Sequence, residues 1–348
     1  MATPRRLLIL ADGSPAIGMG HLKREADLLN ALQARSAWRG WLATRDSSPE
    51  AISFFQQLAQ EVDVVEVKQP GALDRLIDAV RPDLATVDFL NGSFDASCEV
   101  LAASETFTIG VGDWSIPRPC RTTLVLNANP CQVEAKQAFY ASVGVTALLG
   151  PDYFMASPAF TANSTRARLE GVTVGPVREL LVALGGGDEQ NVLDRLLEVL
   201  VPLATTRGIH LRVLQSPVAL FVQENRRRFG QPGVEFMWNV KDMVPLLQQT
   251  DLLIASHGNI AYESAILGVP MIALNLVVCQ DEQAQEMSRC GAVVNLGMGQ
   301  VLERSRVLDE VVRVLDDPAL RALMSQRRRE LVDGRGLARL IAAIDERL

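Results

Sequence analysis

A histidine beside two glycines is the first place in this sequence where catalysis could occur. His21 follows Gly18 and Gly20 in the segment ADGSPAIGMGHLKR, shortly after the apolar run RLLIL. An imidazole titrates near neutral pH, so it can take a proton from water or from a hydroxyl group. We interpret His21 as a candidate general base; the alternative is a histidine that caps a helix or packs in a core. No third glycine follows at the spacing of a dinucleotide-binding turn, so the motif does not predict NAD.

A run of three glycines has the composition of a phosphate site. Gly185, Gly186 and Gly187 end the apolar run LLVAL and precede a segment with helical spacing. Glycines let backbone amides approach an anion, and the positive end of a helix adds to the attraction. Asp188 follows directly, and it would either contact the ligand or cap the helix.

A second turn of this kind follows the apolar run DLLIAS. It contains His257, Gly258 and Asn259 and leads into a helical segment that carries Glu263. Glu263 lies one helical turn beyond Asn259 and therefore on the same face. A carboxylate there could accept hydrogen bonds from the two hydroxyls of a ribose, whereas the alternative is a solvated surface glutamate. The remaining histidine, His210, precedes the apolar LRVL and is interpreted as structural.

Two aspartates and a tyrosine lie where further ligand contacts are expected. Asp88 ends the apolar segment LATVD, and Asp113 ends TFTIGVGD. Ligands of doubly wound sheets bind at the carboxyl ends of the strands. Each aspartate would bind sugar hydroxyls or cap a neighbouring turn. Tyr153, in GPDY, would line a sugar pocket or pack between the two halves of the chain.

Short apolar runs alternate with segments of helical spacing along the whole chain, which is the pattern of parallel α/β domains. The alternation fades after residue 150 and restarts near residue 178. We therefore predict a Rossmann-like domain over 1–160, a linker over 161–177 and a second Rossmann-like domain over 178–348. The terminal helices could cross back to the first domain. The two parallel sheets are expected to face a central cleft that holds the ligand.

The composition excludes several classes of protein. The 348 residues are 48% hydrophobic and 22% charged, as expected for a folded chain. The formal net charge of −7 disfavours a nucleic-acid binder. Five widely spaced cysteines indicate neither a disulfide framework nor a zinc site. The apolar runs are too short for a membrane span and the first residues lack the features of a secretory signal, so we expect a cytoplasmic protein.

Several segments taken together resemble the nucleotide-sugar hydrolases of pseudaminic acid biosynthesis. These enzymes, UDP-2,4-diacetamido-2,4,6-trideoxy-β-L-altropyranose hydrolases, are relatives of the MurG-like GT-B glycosyltransferases. The resemblance extends along almost the whole chain. It rests on Gln280 and on the segments IGMGHLKR, TVDF, LNAN, LLGPDY, LGGGDEQN, HGNIAYESAILGVP and DGRG.

The resemblance implies a GT-B fold and an enzyme that binds a nucleotide sugar and needs neither a metal nor a cofactor. His21 matches the catalytic base, which would activate water for inverting cleavage of the anomeric C–O bond. The residues implied on the sugar side are Asp12, Gly18, Gly20, Arg24, Asp88, Asp113, Asn127 and Tyr153. The residues implied on the nucleotide side are Gly185, Gly186, Gly187, Asp188, Val240, Met243, His257, Gly258, Asn259, Glu263 and Gln280. Residues 185–187 and 257–259 would hold the diphosphate, Glu263 the ribose, and the backbone near Val240 and Met243 the uracil.

The sequence departs from the family mainly in the half that would bind the sugar. Leu10 replaces an arginine, and Phe89 and Leu90 replace a His-Tyr pair. Gly112 replaces the first residue of an Asp-Asp pair, and Cys279 replaces an asparagine in the nucleotide half. We predict a hydrolase that cleaves a UDP-linked diacetamido-trideoxy sugar. Two alternatives stay open: a glycosyltransferase that passes a related sugar to an acceptor hydroxyl, and a binder without catalysis. The sugar, the choice between uridine and cytidine, and the oligomeric state are not predicted.

Overall fold

The computed structural model describes residues 3–59, 61–89, 92–104, 106–164, 175–185 and 188–348. The chain divides into two compact units. The first consists of Met1–Pro158 with Arg335–Leu348, and the second of Ala159–Gly334. Most of the linker predicted over 161–177 lies outside the described residues.

The first unit is a parallel sheet with intervening helices. Its elements up to residue 153 are β1 (Arg5–Ala11), α1 (Gly20–Gln33), β2 (Trp38–Thr44), α2 (Pro49–Leu58), β3 (Val62–Glu66), α3 (Ala72–Val80), β4 (Leu84–Asp88), α4 (Gly92–Ala103), β5 (Phe107–Val111), β6 (Leu124–Asn127), α5 (Val133–Ser142), β7 (Thr146–Leu149) and a 3₁₀ turn (Pro151–Tyr153). Within the described residues the sheet has seven strands, in the order β3-β2-β1-β4-β5-β6-β7. All neighbouring strands are parallel. The order reverses between β1 and β4, and doubly wound sheets bind ligands at the carboxyl edge beside such a reversal.

Burial of their side chains explains why β1 and β4 lie in the centre of this sheet. Residues 7–11 of β1 are fully buried, and every residue of β4 is buried. Strands that are covered on both faces have mainly apolar sequences, which made both strands recognisable, although β4 also buries the polar side chains of Thr86 and Asp88. The helix α1 packs on β1 and β2, with Leu22, Leu28 and Leu29 buried. This packing fixes the first turn of α1 at the carboxyl end of β1.

The second unit repeats the same architecture. Its elements are α6 (Pro158–Ser164), β8 (Glu179–Ala183), α7 (Val192–Arg207), β9 (His210–Gln215), α8 (Val222–Phe229), β10 (Val234–Trp238), α9 (Met243–Gln249), β11 (Leu252–Ala255), α10 (Asn259–Ile266), β12 (Met271–Asn275), α11 (Val278–Arg289), β13 (Val294–Met298), a 3₁₀ turn (Gly299–Val301), α12 (Arg304–Asp316) and α13 (Pro318–Leu331). The strand order among the described residues is β10-β9-β8-β11-β12-β13, with parallel neighbours. The prediction of two Rossmann-like domains with parallel sheets is confirmed.

The last helix, α14 (Gly336–Asp345), belongs to the first unit. It packs on the 3₁₀ turn at Pro151–Tyr153. A Cβ at Gly336 would lie 2.3 Å from the backbone oxygen of Phe154, so only glycine permits this close approach. Its buried side chains include Leu337, Leu340, Ile341 and Ile344. None of the helices in the described ranges combines the length and the apolar character that crossing a bilayer requires.

Candidate functional site

The carboxyl edge of the first sheet brings His21 and two aspartates together. Asp88 is the last residue of β4, and Asp113 follows β5 by two positions. His21 is the second residue of α1. β1 and β4 are paired with Ala11 opposite Asp88, so the loop from β1 to α1 leaves the sheet beside Asp88. Side chains predicted from three separate motifs therefore meet where the strand order reverses.

His21 and Asp88 form a hydrogen-bonded pair at this edge. His21 Nδ1 lies 2.7 Å from Asp88 Oδ1; the carboxyl side chain is 1% exposed and the imidazole 15%. Burial acts to raise the pKa of Asp88, but the charges and hydrogen bonds of Arg24 and His21 outweigh it and hold the pKa below its usual value. Nδ1 also lies 3.2 Å from Arg24 Nη2, but the contact with Asp88 is shorter, and an ionised carboxylate only accepts hydrogen bonds, so Nδ1 is assigned as the donor to Asp88. Nε2 is then the basic nitrogen of His21.

Arg24 connects both aspartates to α1. Its Nε donates to Asp88 Oδ2 at 2.6 Å, and its Nη2 donates to Asp88 Oδ1. Its Nη1 donates to the two carboxylate oxygens of Asp113 at 2.9 and 3.1 Å. Burial acts to lower the pKa of Arg24, but Asp113 and Asp88 outweigh it and raise the pKa well above the ordinary value. The guanidinium thus stays charged, and its fork fixes the positions of both carboxylates.

We expect Arg24→Met to lower the free energy of unfolding by roughly 3–5 kcal/mol. The methionine leaves the buried carboxylate of Asp88 without its cation. Urea unfolding followed by circular dichroism measures the loss. The control is Arg39→Met, because the ion pair of Arg39 with Asp63 is exposed and should contribute at most about 1 kcal/mol. Equal losses in the two variants would contradict the role given to Arg24.

Asn127 supports the loop that carries Asp113. Its buried amide donates from Nδ2 to Trp114 O at 2.9 Å and accepts at Oδ1 from Asn129 N at 2.9 Å. Asn129 in turn donates from Nδ2 to Asp113 O at 2.7 Å. The structure therefore places Asn127 behind Asp113, with its amide occupied by backbone groups. The substrate contact expected of Asn127 stays a prediction.

Asp12 fastens the end of β2 to the end of β1. Its Oδ1 accepts from Thr44 Oγ1 at 2.6 Å and from the backbone amides of Arg45 and Asp46, each at 2.8 Å. The Arg45 guanidinium lies over the ring of Phe89, 5.4 Å from its centre. Asp12 thus shapes the edge of the sheet, and its contact with a sugar stays a prediction.

In the turn before His21, the left-handed backbone conformation of one residue favours glycine. Gly18 has φ +83°, and a Cβ there would meet nothing within 4 Å. Gly20 is the first residue of α1.

Tyr153 lies under Arg339 of α14, with the guanidinium 5.9 Å from the ring centre. This contact supports packing of Tyr153 inside the first unit. The sugar contacts predicted for Gly18, Gly20 and Tyr153 stay predictions.

The glycine run of the second unit follows β8 at the reversal between β8 and β11. Gly185 has φ +86°. Ser256, at the end of β11, donates from Oγ to Leu184 O at 3.0 Å and so connects the two strand ends. Gly186 and Gly187 lie outside the described residues, so their phosphate contacts stay predictions.

Asp188 caps α7, which is one of the two roles the sequence left open. Its Oδ1 accepts from Val192 N at 2.7 Å and its Oδ2 from Leu193 N at 2.9 Å. Burial raises the pKa of Asp188 despite these two hydrogen bonds, which act to lower it. Asp188 lines an open pocket together with Gly185, Asn191, Gln215 and Asn225. A contact between Asp188 and a ligand stays a prediction.

His257 belongs to the core beside α10. It is 2% exposed, and its backbone amide donates to Asn275 Oδ1 at 3.1 Å. The imidazole packs edge-on against Tyr262 with ring centres 5.4 Å apart. Burial, assisted by the charge of Arg328, lowers the pKa of His257 to about 3, so the ring is neutral at neutral pH. The predicted diphosphate contact is untested, but the His257 amide already has a protein acceptor.

The start of α10 lies close to Gln280. The helix begins at Asn259, and the Gly258 amide donates to a backbone oxygen of the same turn at 2.9 Å. Gln280 accepts at Oε1 from Leu276 N at 3.1 Å, and its Nε2 lies 3.9 Å from where a Cβ on Gly258 would stand. Glu263 is 3% exposed, which removes the alternative of a solvated surface glutamate. The nucleotide contacts of these residues stay predictions.

The residues expected at the uracil lie after β10. Val240 is half-buried in the loop, and Met243 is the buried first residue of α9. Asp242 caps α9 by accepting from Val244 N at 3.1 Å. The loop is thus fixed by its helix, and its contact with a base stays a prediction.

Glu25 is a residue beside the first-unit site that the sequence analysis missed. It is fully buried on α1 and accepts at Oε2 from Thr86 Oγ1 at 2.7 Å. A signal was present, because Glu25 lies three and four residues before Leu28 and Leu29, at a helical spacing that faces the core.

Comparisons with known proteins agree with this architecture. No family model matches the chain. The "Spore coat polysaccharide biosynthesis protein SpsG" of Bacillus subtilis is 24% identical over 340 residues, which are 97% of each chain. MurG of Acinetobacter baumannii has a TM-score of 0.68 at 12% identity, over 99% of this chain and 100% of that one. MnaA of S. aureus, solved with UDP, has a TM-score of 0.67 at 12% identity, over 98% of this chain and 96% of that one.

The chain has the GT-B fold. This confirms the fold predicted from the resemblance, and the similarity to SpsG relates the chain to a polysaccharide biosynthesis protein. The reaction and the substrate are proposals.

Proposed function

We propose that the chain is a nucleotide-sugar hydrolase that cleaves a UDP-linked diacetamido-trideoxy sugar at its anomeric C–O bond, as in pseudaminic acid biosynthesis. The observation that carries the proposal is the His21–Asp88 pair at the carboxyl edge of the first sheet, held by Arg24. An imidazole oriented by a buried carboxylate is suited to act as a general base. The motifs that resemble the hydrolases supply these side chains.

The proposed reaction is a single displacement by water. Asp88 accepts from Nδ1–H of His21, which leaves Nε2 to accept a proton from water. As the water oxygen bonds to the anomeric carbon, its proton passes to Nε2. The bond from that carbon to the diphosphate oxygen breaks on the opposite side, and its electron pair leaves with UDP. The sugar is released with inverted configuration, and ionised Asp88 stabilises the imidazolium that forms.

We assign the nucleotide to the second unit. Asp188 occupies two amides at the start of α7, so the diphosphate donors are better sought in residues 185–187 and at the start of α10. Such donors would also stabilise the negative charge that develops on the leaving diphosphate. Glu263 would bind the ribose, and the backbone near Val240 and Met243 the uracil. The UDP in the MnaA structure supports a nucleotide ligand for this fold.

A glycosyltransferase is the second candidate function. It is favoured by Phe89, which follows Asp88 in the sequence where the hydrolases usually have a histidine, and whose ring packs under Arg45. MurG and the spinosyn rhamnosyltransferase SpnG also share the fold. In that reaction His21 would take the proton of an acceptor hydroxyl instead of water.

Incubation with a panel of UDP-linked and CDP-linked sugars, without an acceptor, tests the proposal. We expect UDP and a free sugar to form, as detected by mass spectrometry, and ¹H NMR of the first product to show inversion. UDP release that requires an added acceptor would replace hydrolysis by transfer. Binding in calorimetry without turnover under either condition would contradict both reactions.

A further inference from the structure

Glu25 is a carboxyl group enclosed behind the His21–Asp88 pair. It lies four residues after His21 on α1 and is 0% exposed. Oε2 accepts from Thr86 Oγ1 at 2.7 Å, whereas Oε1 has no hydrogen-bond partner among the residues that the structure describes. Thr86 and Asp88 are two residues apart on β4 and face the same side of the sheet. The carboxyl groups of Glu25 and Asp88 therefore lie in the same buried space between α1 and β4.

Arg24 is the cation nearest to these carboxyl groups, but its hydrogen bonds go to Asp88 and Asp113 and not to Glu25. Arg24 directs its three nitrogens to Asp88 and Asp113. Besides β4, α1 packs chiefly against β1, β2 and α2, and the buried side chains of β1 and α2 are apolar. On β2 the buried polar side chain is Thr44, whose hydroxyl donates to Asp12. An ionised Glu25 would thus be a second buried negative charge beside Asp88.

Two adjacent buried carboxyl groups do not both ionise readily, and their surroundings decide which one keeps the proton. Arg24 and His21 hydrogen-bond to Asp88 and favour its ionised form. Burial and the charge of Asp88 raise the pKa of Glu25 to about 8, against the lesser effects of Thr86 and Arg24. The proton therefore resides on Glu25 at neutral pH.

We propose that Glu25 is a neutral carboxylic acid and a positioning residue for His21, because its retained proton keeps Asp88 ionised and hydrogen-bonded to Nδ1. The inference rests on the proposed function in that His21 is taken as the base. When Glu25 ionises in alkaline solution, its charge adds to that of Asp88 and favours a protonated imidazole. The ionisation of Glu25 is therefore expected to change the charge that the His21 ring experiences through Asp88.

Infrared difference spectra between the wild type and Glu25→Gln test where the proton is. At pH 7 we expect the carbonyl band of a protonated carboxylic acid in the wild type, lost in Glu25→Gln and retained in the control Glu50→Gln, whose side chain is exposed. The band should fade as the pH rises through about 8. A wild-type spectrum without this band at pH 7 would overturn the proposal.

Nitrogen chemical shifts of His21 test the coupling. We expect an inflection near pH 8 in the wild type that is absent in Glu25→Gln. Thr86→Val removes a hydrogen bond that favours ionised Glu25, so it should move this inflection to higher pH; it also provides the test if Glu25→Gln does not fold. An inflection that persists in Glu25→Gln, or that Thr86→Val moves to lower pH, would show that Glu25 does not act on His21.

A rate profile adds a readout that a purely structural role would not change. Glu25→Gln mimics the neutral acid at every pH, so the ratio of its kcat/KM to that of the wild type should change as the pH rises through about 8. A profile parallel to the wild type at all pH values would contradict the positioning role. The spectroscopic measurements use no substrate and therefore do not depend on the proposed function. A protein that hydrolyses no sugar nucleotide but shows these spectral changes would refute the proposed function, while the protonation of Glu25 would stand.

Discussion

Replacing His21 by alanine lowers kcat for sugar release by at least about 10²-fold, because the reaction loses its general base. His21 is partly exposed in the first turn of α1, so the fold should tolerate the change. His21→Asn is the sharper variant, since its amide nitrogen lies as far along the side chain as Nδ1 and can still donate to Asp88, but it is not basic. Both variants should retain UDP binding in calorimetry, because the nucleotide is assigned to the second unit.

His210→Ala is the matched control for this effect. His210 lies at the start of β9 in the second unit, with Nδ1 3.0 Å from Glu179 Oε2. Its loss should leave kcat within about threefold of the wild type, since it has no part in proton transfer. If His21→Ala were equally active, the base would have to be sought elsewhere in the chain.

Asp88→Asn is expected to lower kcat by roughly 10²–10⁴-fold. The amide carries no charge to stabilise an imidazolium, and its Nδ2 can donate to the ring and so favour the opposite tautomer. Arg24 would also lose an ionised partner, and its other carboxylate on Asp113 is partly exposed. Single-turnover kinetics measure the chemical step, and circular dichroism shows whether the fold persists.

Asp63→Asn supplies the comparison for a carboxylate without a catalytic role. Asp63 makes an exposed ion pair with Arg39 on the same sheet, so its loss should leave the rate unchanged. A folded Asp88→Asn protein with near-normal kcat would mean that His21 needs no carboxylate to orient it. The comparison of Asp88→Asn with Asp63→Asn therefore separates the orientation of His21 from the general effect of losing one carboxylate.

Strand ends were predictable from sequence, but the partners of the side chains at those ends were not. Asp88 and Asp113 end apolar runs, and parallel strands bring such ends to one edge. The sequence does not encode strand order in a readable form, so it could not show that β1 and β4 adjoin. It also gave Arg24 no partner, because a guanidinium that spans two strand ends depends on contacts 64 and 89 residues apart.

Asn127 and Glu25 show a further limit of sequence patterns. The motif around Asn127 was recognisable, yet the side chain serves the loop that carries Asp113, because a buried amide must satisfy its hydrogen bonds locally. Glu25 was concealed by its neighbours, since a charged residue among Lys23, Arg24 and Asp27 is usually assigned to a solvated face. The packing of α1 on β1 and β2 shows that its helical spacing to Leu28 and Leu29, and not its charged neighbours, decides its burial.

The return of α14 to the first unit affects how the chain is completed during translation. Ala159–Gly334 is continuous in sequence, so the second unit can fold as soon as it leaves the ribosome. The first unit is complete only once residues 335–348 have been synthesised, because α14 supplies the apolar face of Leu337, Leu340 and Ile344. A stop codon at position 335 would therefore uncover apolar surface on the unit that carries His21, although His21 itself lies far from that position in the sequence.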